Sequence, residues 1–516
     1  MDSNLLLLRT KTSLLTYTFP RPASEGEGSS STTHLFSNLA KLTHAHATLP
    51  LLFSSDGLLF ASSLASPSLL TIQSTLTGAI VSSLPVNDLL SAEFSPLGNF
   101  LITFSRHAKG TSGEAGEGNV RVWSVKDGAL IASFHQKIHK PFVIQWDGKE
   151  SVCGRLVSNE LQLLSSDLQT VSAKLYLKGI AQFKLAPTAS SSSSAAACIV
   201  AFVPEIGGNP ARASIHKLAS SSDTEFGPAI VSRTMFAASE ADLHWNSLGT
   251  HVLVHTHTDV DTSGSSYYGA SSLYILSADG KISSIVSQSK EGPVYGMFIP
   301  VLLFSLRSVS NLLSYKRLFI NLFMALSLSS SFIDIKWSPL GTQFVVAAGN
   351  MPSHCTLYNA QAEALYEYGS AHRNTIAWSP HGRFLCLAGF GNLAGEMDFY
   401  DTVRKNRKMG SNTAHCTINF GWSPDSRYFM VATLAPRMNV DNGVKIFKYN
   451  GMGPVFDERM EFLYDAAWRP APIGTFEDRP PSPRPPSGEE EGKKEALDSG
   501  KNPEVAKVAG TSSLSS

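Results

Sequence analysis

Charge is scarce in this chain. Only 16% of its 516 residues are Asp, Glu, Lys or Arg, against roughly 25% in an ordinary soluble domain. The 42 basic residues also balance the 42 acidic ones. A chain without net charge is not built to coat nucleic acid along its length, although a local cationic patch remains compatible with it. It also lacks the excess charge of a disordered acidic chain. Cysteine is sparse too: Cys153, Cys198, Cys355, Cys386 and Cys416 form an odd set without a C-x-x-C pair. That pattern indicates neither a disulfide framework nor a zinc ribbon, and it fits a reducing compartment, so a cytoplasmic location is expected. At the N-terminus, Asp2 precedes only four consecutive leucines, Leu5 to Leu8. A signal peptide needs a basic start and a longer apolar core, so these leucines are read as a strand.

What the chain does have is tryptophan in a fixed setting. Trp337-Ser338-Pro339-Leu340-Gly341, Trp378-Ser379-Pro380-His381-Gly382, Trp422-Ser423-Pro424-Asp425-Ser426 and Phe94-Ser95-Pro96-Leu97-Gly98 share one form. Looser copies begin at Phe53, Trp146, Phe183, Trp245 and Trp468, which brings the anchors to nine and places six of the seven tryptophans in them. An alternating apolar stretch precedes each anchor, as in Phe332 to Trp337. A Ser-Pro-x-Gly turn follows, in which Pro presets φ and Gly accepts a positive φ. Period-two alternation broken by such turns marks a sandwich, barrel or propeller. The last three anchor spacings, 41, 44 and 46 residues, match a four-stranded propeller blade of about 40–45 residues. Asn119 to Trp123, Glu396 to Asp401 and Gly443 to Phe447 look like third strands of such blades. The expected fold is therefore all-β, a WD-repeat-like β-propeller of nine blades occupying residues 1–470. Strands within residues 4–40 complete the blade of Trp468 and close the ring, leaving no open sheet edge.

Several patterns imitate catalytic or cofactor chemistry. Gly389 to Gly395 has the spacing G-x-G-x-x-x-G, without the strand–helix unit or acidic ribose ligand of a dinucleotide loop, and is read as a hairpin turn. Asp259 to Gly264 resembles the start of a calcium loop, but Ala270 stands where a bidentate Glu is required. His251, His255 and His257 share one face of a strand, yet no thiol or carboxylate spacing completes a ligand set. His44 and His46 are discounted likewise. No nucleophile elbow, P-loop or H-E-x-x-H occurs, so neither enzyme activity, cofactor nor metal is expected. The basic candidates for contact with RNA phosphates are Arg404, Lys405, Arg407 and Lys408, together with Arg373.

Longer blocks carry a family likeness. Arg373 to Ile376, His381 to Asp401, His244-Trp245-Asn246, Thr258 to Asp261, Ser266 to Gly269, Asp441 to Ile446 and Ala467 to Pro470 resemble, in order, the eukaryotic translation initiation factor 2A family. The likeness covers about residues 5–470 and is densest over 241–470. It implies a nine-bladed propeller that associates with the small ribosomal subunit and, on selected mRNAs, directs initiator methionyl-tRNA there. The placement is codon-dependent and GTP-independent, and other initiation factors are possible partners. The family pattern also continues into a basic C-terminal segment. Two alternatives stand beside it. The propeller of initiation factor 3 subunit b follows an RNA-recognition domain, for which residues 1–50 are too few. A WD-type scaffold would bind proteins only, without handling tRNA.

Two segments fall outside the repeat. Residues 471–516, rich in Pro, Ser and Glu, are expected to be disordered. Residues 296–333 are strongly apolar, but Arg307, Lys316 and Arg317 interrupt them before the ~18–20 residues needed to span a membrane. A helical lid or an extra strand pair would accommodate them. The preferred reading is a translated intron: Gly296-Met297-Phe298 can be encoded through GTATGT, and Ile333-Asp334 through a TAG acceptor. Removal joins Tyr295 to Asp334 and restores an ordinary strand running into Trp337. Sequencing of cDNA across this junction is expected to return the spliced form; uniform retention in mature message rejects it.

Overall fold

The computed structural model describes residues 3–10, 14–20, 51–64, 69–106, 118–136, 144–187, 197–218, 224–258, 271–286, 332–435, 441–472 and 474–478. These residues form strands and turns, and no helix among them is long and apolar enough to cross a membrane. The strands make nine sheets. Eight are four-stranded meanders spanning 52–85, 89–134, 144–176, 182–235, 240–285, 332–371, 375–413 and 419–459, here blades 1 to 8. The ninth joins both ends of the chain, with Leu14–Pro20 beside Ser3–Thr10 and Ser3–Thr10 beside Leu463–Trp468. The fold is thus the nine-bladed β-propeller that the nine anchors imply.

The four leucines at the N-terminus close the ring. Leu6 pairs with Trp468, Leu7 with Ala467 and Leu8 with Ala466, and all three leucines are buried. A strand inside a blade has another blade on each side, so consecutive residues are apolar rather than alternating. The same sandwiching produces cores between blades, such as Val200, Phe202 and Ala213 of blade 4 against Trp245, Val252 and Val254 of blade 5.

Each anchor ends the innermost strand of its blade, and in six blades the polar residue after it fixes the turn. The hydroxyl oxygens of Ser54, Ser95, Ser379 and Ser423 accept the N–H of Leu59, Phe100, Phe384 and Tyr428 at 2.9–3.0 Å. Asp147 and Asn246 do the same for Val152 and His251, each at 3.0 Å. The looser anchors at Phe53, Trp146 and Trp245 therefore preserve one feature, a short acceptor five residues before the N–H it holds.

Anchor tryptophans then tie blade to blade. The indole N–H of Trp245 donates to the Lys184 carbonyl (3.0 Å), that of Trp337 to His244 (2.8 Å) and that of Trp378 to Lys336 (3.4 Å). Trp422 donates to Ala377 (3.0 Å) and Trp468 to Gly421 (3.2 Å). In every case the acceptor immediately precedes the anchor residue of the previous blade. This register corrects one sequence alignment: Leu185, not Phe183, stands at the anchor position of blade 4. Phe183 instead lies against Gly154, where a Cβ would come within 2.6 Å of its ring.

Of residues 296–333, only Phe332 and Ile333 are described, at the start of the strand Phe332–Trp337; the remainder lies outside the described residues. The same holds for most of 471–516. Its first part, however, stays with the propeller, because Phe476 is buried and its carbonyl lies 2.8 Å from His381 Nε2. The compact unit accordingly extends to Glu477, beyond the boundary expected at 470.

Turn glycines set how closely neighbouring blades approach. Gly57 has φ +68°, and a Cβ there would stand 2.0 Å from the Pro470 carbonyl oxygen of blade 9. Gly391 has φ +73° with nothing within 4 Å of such an atom. Gly391→Ala should therefore cost only the left-handed backbone penalty of about 1–2 kcal/mol. Gly57→Ala should cost clearly more, because blades 9 and 1 must part. Equal denaturation midpoints for the two variants would show that this contact does not hold the ring.

Candidate nucleic-acid interface

The basic run lies where the third and fourth strands of blade 7, Glu396–Asp401 and Arg407–Thr413, are joined. Antiparallel order puts this connection at the same end of the blade as the anchor turn, and the Thr402 N–H bonds the Arg383 carbonyl at 2.9 Å. Asp401, 1% exposed, organises the connection. Its Oδ1 accepts the N–H groups of Val403 and Arg404 at 3.1 and 3.3 Å. Its Oδ2 lies 3.2 Å from Arg383 Nη2 and 3.9 Å from Arg404 Nε. Lys405 and Asn406 both adopt positive φ, +55° and +56°, a region that non-glycine residues enter mainly in tight turns. Asn406 Oδ1 accepts a 3.0 Å hydrogen bond from the Tyr368 hydroxyl of blade 6.

This turn displays Arg404, Lys405, Arg407 and Lys408 as exposed side chains. They are not equivalent. The Lys408 ammonium lies 2.7 Å from Asp398 Oδ1, so part of its charge is neutralised within the blade.

Arg373 does not join them. It is 6% exposed, and its guanidinium donates to the Asp398 carboxylate, to the Tyr400 hydroxyl at 2.9 Å and to the Tyr368 carbonyl at 3.2 Å. Burial acts to raise the Asp398 pKa, but hydrogen bonds from Lys408, Ser411 and Arg373 outweigh it and leave the carboxyl below its usual value. Arg373 is therefore a structural cation between blades 6 and 7. Its partner stands 25 residues on and was not evident from local spacing.

The remaining patterns resolve unevenly. Gly389 to Gly395 forms the hairpin between the second and third strands of blade 7, and a Cβ on Gly395 would meet the Ala414 carbonyl oxygen at 2.0 Å. The calcium-like stretch 259–264 and His44 and His46 lie outside the described residues. His255 and His257 do have carboxylate neighbours, supplied across the ladder: Asp242 opposite His255 and Glu240 opposite His257. No spacing along one strand reveals such partners. Also unanticipated are three exposed leucines of the anchor turns, Leu97, Leu248 and Leu340.

The architecture defines a nine-bladed, WD-type propeller that presents a rigid cationic turn beside its anchor-turn ring. A family model described as eukaryotic translation initiation factor eIF2A matches residues 233–298 and 319–466, breaking within the apolar segment noted above. The chain is 36% identical over 381 residues to eukaryotic translation initiation factor 2A of Dictyostelium discoideum, covering 73% of this chain and 54% of that protein. It is 31% identical over 424 residues to the protein of the same name from Schizosaccharomyces pombe, with coverages of 82% and 64%. A crystal structure of a eukaryotic initiation factor superposes with a TM-score of 0.70 at 25% identity, covering 92% of this chain and 100% of that one. The chain belongs to the eukaryotic translation initiation factor 2A family. It spans between about half and two thirds of the length of these two relatives.

Arg373→Ala leaves Asp398 largely buried with one cation fewer, and loss of one partner from a buried pair costs about 3 kcal/mol. The expected result is a lower denaturation midpoint. A midpoint unchanged from the parent chain would return Arg373 to the surface set.

Proposed function

We propose that this propeller is a non-enzymatic translation initiation factor of the cytoplasm. It docks on the small ribosomal subunit and directs initiator methionyl-tRNA there, codon-dependently and without GTP, on selected mRNAs and alongside other initiation factors. Family membership is the observation that carries this reading. The cationic turn of blade 7 supports it, because fixed exposed cations bind phosphate by displacing condensed counterions. Arg404, Lys405 and Arg407 are the principal contacts, and Lys408 contributes less because Asp398 already engages it.

A second reading, a scaffold that binds proteins only, is favoured by Leu97, Leu248 and Leu340 on the anchor-turn face. They are 53%, 47% and 59% exposed. The two readings differ in their response to salt. Each phosphate contact contributes about 0.7–0.9 to the slope of log affinity against log salt. For binding of the chain to purified small subunits, the triple variant Arg404→Ala, Lys405→Ala, Arg407→Ala should flatten that slope by about 2. An unchanged slope rejects these contacts. Binding that is insensitive to salt in the parent chain turns the assignment toward the scaffold. Strengthening by initiator methionyl-tRNA is expected for the factor and not for the scaffold.

A further inference from the structure

We propose that Asp242, His255 and His257 form a binding site for a divalent transition-metal ion, with zinc(II) as the ion to test. His255 and His257 alternate with Val254 and Thr256, which are fully buried, so both imidazoles leave the strand His251–His257 on one face. Leu253 continues that face into the core between blades 5 and 6, which places the imidazoles at the rim of that interface. The neighbouring strand Glu240–Trp245 sets Asp242 opposite His255 and Glu240 opposite His257. One donor atom from each of Asp242, His255 and His257 lies within 4.8 Å of the others. Tetrahedral zinc with bonds of about 2.0–2.1 Å needs donors roughly 3.4 Å apart. Asp242, with a side chain 57% exposed, is free to close that difference by rotation.

Two observations set this cluster apart from ordinary surface polarity. The residues at the same place in blades 6 and 9, Asp334 and Asp465, bridge to the next blade by accepting the N–H of Ile376 and Leu51 at 2.8 and 2.7 Å. Asp242 instead stands 3.6 Å from His255 Nδ1. The second observation concerns His257. Its Nε2 lies 3.3 Å from Glu240 Oε2, the carboxylate contact that commonly orients a metal-bound imidazole. Its Nδ1 is buried and has no hydrogen-bond partner among the described residues. Two nitrogens and one carboxylate suit zinc, copper or nickel better than calcium or magnesium, whose preference is for oxygen. Three protein ligands leave one coordination position open.

The test is titration of the full chain with zinc chloride by calorimetry, and with cobalt(II) by visible absorption. The expected result is one ion per chain with micromolar affinity and the d–d bands of four-coordinate cobalt. His257→Gln should weaken binding more than tenfold, and Glu240→Gln about tenfold. Asp242→Asn keeps the shape of an exposed side chain, so its loss of affinity is not attributable to misfolding. Absence of binding at 100-fold the micromolar range overturns the proposal, as does affinity that is unchanged in both His257→Gln and Asp242→Asn.

Discussion

The hydrogen bond from an anchor indole to the carbonyl of the preceding blade is the contact on which this molecule most depends. Blades 1 to 8 are meanders whose ladders are complete within themselves, so outside the ninth sheet, which joins the two chain ends, nothing in the ladders holds one blade to the next. The innermost strand nevertheless has an edge whose backbone groups must be satisfied where they are buried. A tryptophan at the end of that strand meets both needs, filling the gap between blades with its ring and satisfying a carbonyl with its N–H. From blade 5 onward the device recurs without interruption, from Trp245 to Trp468.

In the first four blades other side chains take over. Gln145 of blade 3 donates to the Phe183 carbonyl at 2.8 Å and accepts the Leu185 N–H at 3.1 Å, pairing with the next inner strand as a backbone would. Glu150 reaches back to blade 2, accepting the Leu97 N–H at 2.6 Å and the Asn99 amide at 2.9 Å. Asp465 accepts the Leu51 N–H and so joins blade 9 to blade 1. The Asp465 contact repeats that of Asp334 in blade 6, but those of Gln145 and Glu150 are particular to their blades, and the repeat is accordingly plain in the second half of the sequence and faint in the first.

The same physics governs what could be read from the sequence. The blade number was legible because six of the nine anchors carry a side-chain acceptor five residues before the N–H it holds, and Ser, Asp and Asn all qualify. The closing strands were legible because Leu5 to Leu8 suit a strand buried on both faces. The anchor of blade 4 was misplaced by two residues, because Phe183 looks more like tryptophan than Leu185 does. The acceptor of the Trp245 indole, the Lys184 carbonyl, identifies the true register. Arg373 and the histidine cluster share a different difficulty. Their partners, Asp398 for the one and Asp242 with Glu240 for the other, arrive from separate strands. A sequence shows charges, but cross-strand register decides which of them meet.

That distinction bears on how a propeller can display cations usefully. A flexible basic loop must be ordered as it binds, and the lost side-chain and backbone freedom opposes association. In blade 7 that ordering is completed by folding. Asp401 gathers the turn, Lys405 and Asn406 are held in left-handed backbone, and Tyr368 of blade 6 secures Asn406 from outside. Tyr368 is placed in turn beside Tyr400, with ring centroids 4.7 Å apart, and Arg373 donates to the Tyr368 carbonyl. The buried arginine and the exposed basic residues are thus parts of one arrangement: the first fixes the boundary between blades 6 and 7, and that boundary fixes the turn carrying the others. Arg373 therefore acts on the exposed cations through position alone, without joining them at the surface.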